Sequence, residues 1–141
     1  QHLSVKRGEK VLEVGTGSGY QAAILAELTD QVYSIEIIEE LAELARLSLE
    51  SLGYTAVRVK HGDGYRGWEE FAPFDKIIVT AAASHVPPPL VAQLKIGGRV
   101  VIPVGPPFTI QQLVRVTKNP DGTTETRQLL PVAFVPLTGD H

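Results

Sequence analysis

The sequence contains neither cysteine nor methionine among its 141 residues. Without cysteine there is no disulfide, no thiolate metal site and no cysteine nucleophile. A chain that opens on Gln1 and holds no methionine reads as an internal start, with sequence missing upstream. Charge of one sign is also in short supply: 13 Lys and Arg face 16 Asp and Glu, for a formal charge of -3. The cations are scattered and form no basic stripe, so no nucleic-acid partner is expected. No apolar run approaches the roughly 20 residues of a membrane span, and the start as given has no signal-peptide pattern. No membrane partner is expected, and a cytoplasmic location is. Aromatics make up only 6% of the chain. Trp68, Phe71 and Phe74 therefore read as one packed loop, not as a platform for stacking bases. Repeats, low-complexity tracts and linkers are absent. One domain over 1–141 is the expected organisation.

Strand and helix alternate along the chain. Residues 10–14 form a short apolar run that ends at glycine, a buried-strand pattern. A glycine loop leads into a helix over 20–28, with Ala22, Leu25, Ala26 and Leu28 available for its inner face. Residues 31–36 alternate and favour a second strand. Leu41, Leu44, Ala45, Leu49 and Leu52 give 39–52 the spacing of an amphipathic helix with a core-facing stripe. Gly53 stands where a helix end requires a left-handed residue. Further strands are predicted over 56–60, 75–81 and 99–104, the last entered by a turn at Gly97-Gly98. Prolines open a short helix over 87–94. Strands over 111–118 and 124–135 flank Asn119-Pro120-Asp121-Gly122, a strong turn signal. The predicted fold is α/β: a doubly wound, mostly parallel, Rossmann-like sheet with a C-terminal antiparallel hairpin. The order of the last two strands stays open, and a ligand is expected at the carboxyl edge.

The chemistry concentrates on that edge. Glu13-Val14-Gly15-Thr16-Gly17-Ser18-Gly19 joins a strand to a helix. Glycines there let the backbone turn sharply and approach a ligand, while the helix offers unpaired N–H groups. Three alternating glycines exceed what a tight turn needs. Glu36 closes the second strand, where a carboxylate can accept from ribose hydroxyls or simply be solvated. The sixth place of a dinucleotide fingerprint calls for glycine or alanine and here holds Tyr20, too large for the close packing that the third glycine serves. Glu13 suits a ligand carrying a sulfonium and an ammonium better than a pyrophosphate; its alternative role is to cap loop N–H groups. Gly62-Asp63-Gly64 can present a short acceptor to an adenine amino group or be only a turn. Thr80-Ala81-Ala82-Ala83 lacks the Asn/Asp-Pro-Pro-aromatic element of methyltransferases acting on amino groups; small residues leave room for a substrate chain, or pack a strand end. His61 and His85 lie near the edge but show no triad or metal spacing, so structural or surface roles are expected and no metal site is.

These segments together resemble the protein-L-isoaspartate O-methyltransferase family over nearly the whole chain. The similarity is carried by Val11 to Tyr20 and on to Leu28, by Val32-Tyr-Ser-Ile-Glu36, by Gly62-Asp63-Gly64 and by the 75–83 strand end. It continues in Leu94-Lys-Ile-Gly-Gly-Arg-Val-Val-Ile-Pro-Val-Gly105 and Val132-Ala-Phe-Val-Pro-Leu137. The resemblance implies methyl transfer from S-adenosylmethionine to the carboxylate of L-isoaspartyl residues in damaged proteins, beginning their repair through a succinimide. It implies cofactor binding by Gly15, Gly17, Gly19, Glu36, Asp63 and Gly64, to which Glu13 and Thr16 are added from the loop pattern. Val135, Pro136 and Leu137 would lie along the substrate peptide, with Ala82 beside it. Isoaspartyl peptides and proteins are the implied partners, and a monomer or weak homo-oligomer is expected. Two departures stand out. The family's N-terminal segment, with a Gly-Gln-Thr-Ile-Ser-Gln-Pro-like element, has no match here. This chain is therefore expected to bind the cofactor yet transfer methyl groups poorly. Ser84-His85 also replaces a more usual proline and acidic residue. A carboxylate nucleophile is already ionised at neutral pH, so positioning and water exclusion suffice and no catalytic residue is assigned within the chain. The alternatives are a cofactor-binding module without activity of its own and a nicotinamide-dependent oxidoreductase.

Overall fold

A computed structural model describes residues 5–15, 17, 19–106 and 108–137. Seven strands form one sheet: β1 (Lys10–Val14), β2 (Gln31–Glu36), β3 (Arg58–His61), β4 (Phe74–Val79), β5 (Leu94–Val104), β6 (Gln111–Lys118) and β7 (Thr124–Val132), in the order β3-β2-β1-β4-β5-β6-β7. The first five pair in parallel, and β6 and β7 each run antiparallel to the preceding strand. Helices α1 (Tyr20–Leu28), α2 (Glu39–Ser51) and α3 (Pro88–Ala92) make the main crossovers.

Alternation along the strands sorts the core into two layers. Val11 and Val32 pack with Ala22, Leu25 and Leu49 beneath α1 and α2. Leu12, Val14 and Ile35 join Trp68, Phe74 and Leu90 on the other face. There the Tyr33 ring meets Trp68 edge-on at 5.7 Å and Phe71 at 4.7 Å, so the aromatics form the packed loop that the sequence implies. α2 closes with Gly53 at φ 90°: Tyr54 N–H donates to Leu49 and Gly53 N–H to Glu50, which satisfies two carbonyls left over at the helix end.

Several expectations change. The predicted stripe on α2 mostly faces outward. Ala42, Ala45 and Leu49 are buried, whereas Leu41, Leu44 and Leu52 are exposed. The inward face is Ala42, Ala45 and Leu49, and the last two pack against Gly19: a β-carbon added there would lie 3.6 Å from that of Ala45 and 3.3 Å from the Leu49 side chain. Leu28 on α1 is likewise exposed. Gly97 and Gly98 lie inside β5, which already pairs at Leu94 with Phe74 before the register shifts. A β-carbon at Gly98 would come within 2.8 Å of the Lys95 carbonyl and 3.0 Å of the Asp75 carbonyl, so this is an irregularity in a strand, not a turn before it. α3 stops at Ala92, β3 starts at Arg58, β4 covers Phe74–Val79, and β7 ends at Val132.

Candidate functional site: a cleft at the sheet's switch point

Connections leave β1 toward β2 on one side, while β4 lies on the other. At the carboxyl ends of such a pair, loops diverge and open a crevice. A cleft of about 430 Å³ lies here, lined by Gly15 and Gly17 of the loop after β1, Glu36 to Ile38 after β2, Gly64, Thr80 and Ala81, and Val135 to Leu137.

Each glycine in this region has its own reason. Gly15 has φ 102°, and an added β-carbon would sit 2.6 Å from the Thr80 hydroxyl oxygen. That hydroxyl lies within hydrogen-bonding reach of the Val14 and Gly15 carbonyls and ties the loop to the end of β4. Gly17, at φ 54°, has open space around its missing side chain, so only its backbone conformation calls for glycine. Gly64 is buried with Val14 Cγ1 2.2 Å from the place of an added β-carbon, which keeps that wall of the cleft flat. Gly19 does not line the cleft: it begins α1 at φ 90° and faces Leu49. Tyr20 beside it is 73% exposed. The large side chain therefore turns outward, and the close packing falls to Gly19; the steric objection to Tyr20 drawn from the sequence does not hold in the structure.

The two glutamates divide their roles. Glu36 lines the cleft and is nearly buried. One of its oxygens accepts from Gly17 N–H at 2.9 Å and the other from Ile38 N–H at 3.2 Å. One carboxylate thus braces the glycine loop and still faces the cavity. Glu13 is fully buried on the α1/α2 face of β1 and does not line the cleft. Ser34 donates to one oxygen at 2.6 Å, and the other finds no hydrogen-bond partner among the described residues. Burial pushes its carboxyl up to about 7; the Ser34 hydrogen bond opposes this, and the Glu36 charge adds to it.

Asp63 also stays out of the lining. It accepts from Tyr65 N–H at 3.0 Å and caps the short turn that begins at Gly64. Thr16 lies outside the described residues. Ala82 sits just beyond the cleft, where its N–H donates to Val135 at 2.7 Å and its carbonyl accepts from Leu137 N–H at 2.6 Å. The backbone groups of Val135 and Leu137 on that side are thus spent on the protein's own bridge, and only the other side of the segment is open to a peptide. Sequence reasoning missed Ile37, Ile38 and Leu41, whereas Thr80 and Ala81 belong to the strand end it singled out. The signal was present in part: two isoleucines directly follow an acidic strand end, and Ile38 and Leu41 remain well exposed.

The profile of the protein-L-isoaspartate(D-aspartate) O-methyltransferase family matches residues 1–141. The chain belongs to that family. It is 67% identical over 137 residues to protein-L-isoaspartate O-methyltransferase 2 of Polaromonas sp. strain JS666, covering 97% of this chain and 65% of the relative. It is 67% identical over 139 residues to the protein of the same name from Syntrophobacter fumaroxidans, covering 99% and 56%. The chain thus spans somewhat under two thirds of these relatives' length. Among solved structures, a protein-L-isoaspartate O-methyltransferase superposes with a TM-score of 0.90 at 33% identity, over 98% of this chain and 44% of its own. A Plasmodium falciparum chain described as a member of the same family, in complex with S-adenosyl-L-homocysteine, superposes with a TM-score of 0.80 at 26% identity, covering 94% of this chain and 67% of its own. Family membership thus agrees with the resemblance drawn from the motifs, and these likenesses confirm the doubly wound fold.

Proposed function

We propose that residues 1–141 act as one S-adenosylmethionine-binding domain of a protein carboxyl methyltransferase that modifies L-isoaspartyl residues. The observation that carries this is the cleft itself, where a glycine loop and a carboxylate face an apolar wall at the switch point of a family member's sheet. The residues fit the donor. Glu36 can accept from ribose hydroxyls, and Ile37, Ile38 and Leu41 offer an apolar wall to a flat base. Glu13, buried against Ser34 and outside the lining, is left as a structural group of β1. Glu36 would serve the ribose of either an S-adenosyl or a nicotinamide ligand; the family match over residues 1–141 is what disfavours the nicotinamide reading.

When bound, the donor supplies a methyl group on a positively charged sulfur. The protein's part is to hold the acceptor in line and keep water out. Val135, Pro136 and Leu137 close the cleft on the side away from Glu36 and offer the surface along which the acceptor peptide would lie. The acceptor carboxylate needs no base to ionise it. The relatives' names support isoaspartyl proteins as partners, and a charge of -3 without a basic stripe speaks against a nucleic-acid partner. A cytoplasmic location, no membrane partner, and a monomer or weak homo-oligomer complete the proposal. The test is transfer of labelled methyl from S-adenosylmethionine to an isoaspartyl peptide and to its aspartyl isomer. Slow labelling of the first alone, slower still with Glu36→Ala, is the expected result. Equal labelling of both peptides, or failure to bind S-adenosylhomocysteine, would refute the reading.

A further inference from the structure

A second depression of about 180 Å³ adjoins the cleft and shares Pro136 and Leu137 with it. At its rim the His85 ring is held at both nitrogens. The Ser84 hydroxyl lies 2.8 Å from Nδ1 and the Tyr65 hydroxyl 2.9 Å from Nε2. Tyr65 also meets the ring edge-on, with centroids 5.6 Å apart. Both Ser84 and His85 are exposed. A hydroxyl can donate or accept, so this clamp keeps the ring oriented in either charge state. When charged, the ring donates to both hydroxyls and leaves the Ser84 hydrogen for an acceptor in the depression. Among the described residues no carboxylate lines the depression. The neighbouring 135–137 segment has already spent its Val135 carbonyl and Leu137 N–H on Ala82, so a peptide lying here must gain much of its selectivity from side chains.

We propose that Ser84, His85 and Tyr65 form a carboxylate subsite that selects peptide substrates with an acidic side chain next to the residue being methylated. This inference rests on the methyltransferase reading above. The depression lies beside the cleft and not within it, so the carboxylate it receives is a second one, distinct from the methyl acceptor.

The test compares isoaspartyl peptides in which the adjoining residue is Glu, Gln or Lys, using the protein and its His85→Gln and Ser84→Ala variants. For the unaltered protein, KM for the Glu peptide should be about three- to ten-fold below that for the Gln peptide, with kcat unchanged, the range of a charge-assisted bond at an exposed rim. His85→Gln should erase the difference, Ser84→Ala should reduce it, and raising the salt to about 0.5 M should weaken it. By NMR, the His85 ring resonances should move when the Glu peptide is added in the presence of S-adenosylhomocysteine, and move less with the Gln peptide. If the peptides are methylated but His85→Gln leaves the KM ratio unchanged, or the ring resonances do not respond, the subsite is wrong and the reading of the cleft stands. If the protein binds no S-adenosylhomocysteine, the reading of the cleft falls and the subsite falls with it.

Discussion

Glu13 and Glu36 are both acids on adjacent strands, yet their surroundings give them different work. Glu36 is held by two backbone N–H groups and faces the cleft. Glu36→Ala should weaken S-adenosylmethionine binding about 10- to 100-fold, as expected for a lost charge-assisted hydrogen bond, while Glu39→Ala on the surface of α2 should not. Equal dissociation constants for the two variants, by calorimetry, would remove Glu36 from the site. Glu13 predicts a pH effect. Its folded pKa of about 7 lies above the ordinary glutamate value of 4.5, so the folded protein keeps a proton that the unfolded chain gives up. The stabilisation is complete below the unfolded value and is lost as pH rises through the folded one. Between pH 5 and 8, urea unfolding should show the protein losing about 2–3 kcal/mol relative to Glu13→Gln. Parallel pH profiles would show that Glu13 is ionised in the fold. At this scale the sequence marked both glutamates but could not separate them. Strand alternation places Glu13 with Val11, under α1 and α2, and that orientation depends on which face the helices cover.

Among the elements, the turn from β7 back to the cleft depends on one buried side chain. Gln111 opens β6; its amide nitrogen donates to the Thr109 carbonyl at 2.8 Å, and its amide oxygen accepts from Phe134 N–H at 2.8 Å. It thereby fixes the path of 133–137 into the bridge with Ala82. Gln111→Ala should cost about 1–2 kcal/mol for the lost hydrogen bonds, and should speed amide exchange at Leu137 and Ala82. Unchanged exchange there would mean that the bridge stands without it. Such a tie was not legible in the sequence, since a polar residue at a strand start ordinarily faces solvent and its partner lies far along the chain. The bounds of β1, β2, α1 and β6 were legible, because apolar runs, glycines and alternation all agree there. The outward leucines of α2 were not: leucines lie on both sides of this helix, and spacing alone cannot tell which side the sheet and the glycine loop cover.

For the molecule as a whole, βα alternation and the turn around Asn119 were enough to give a mostly parallel sheet with an antiparallel end. The hairpin order was not legible, because right-handed crossovers constrain parallel units and leave a terminal hairpin free to add either strand first. The structure places β6 beside β5 and β7 at the edge, and that order lets the chain return along the end of β4 to complete the cleft. The account's central claim is that this cleft holds an S-adenosyl ligand. Calorimetric titration of the protein with S-adenosylhomocysteine, against NAD as competitor, tests it most directly. The account predicts one S-adenosylhomocysteine per chain and no displacement by NAD; equal or tighter binding of NAD, or no binding of S-adenosylhomocysteine, would contradict it.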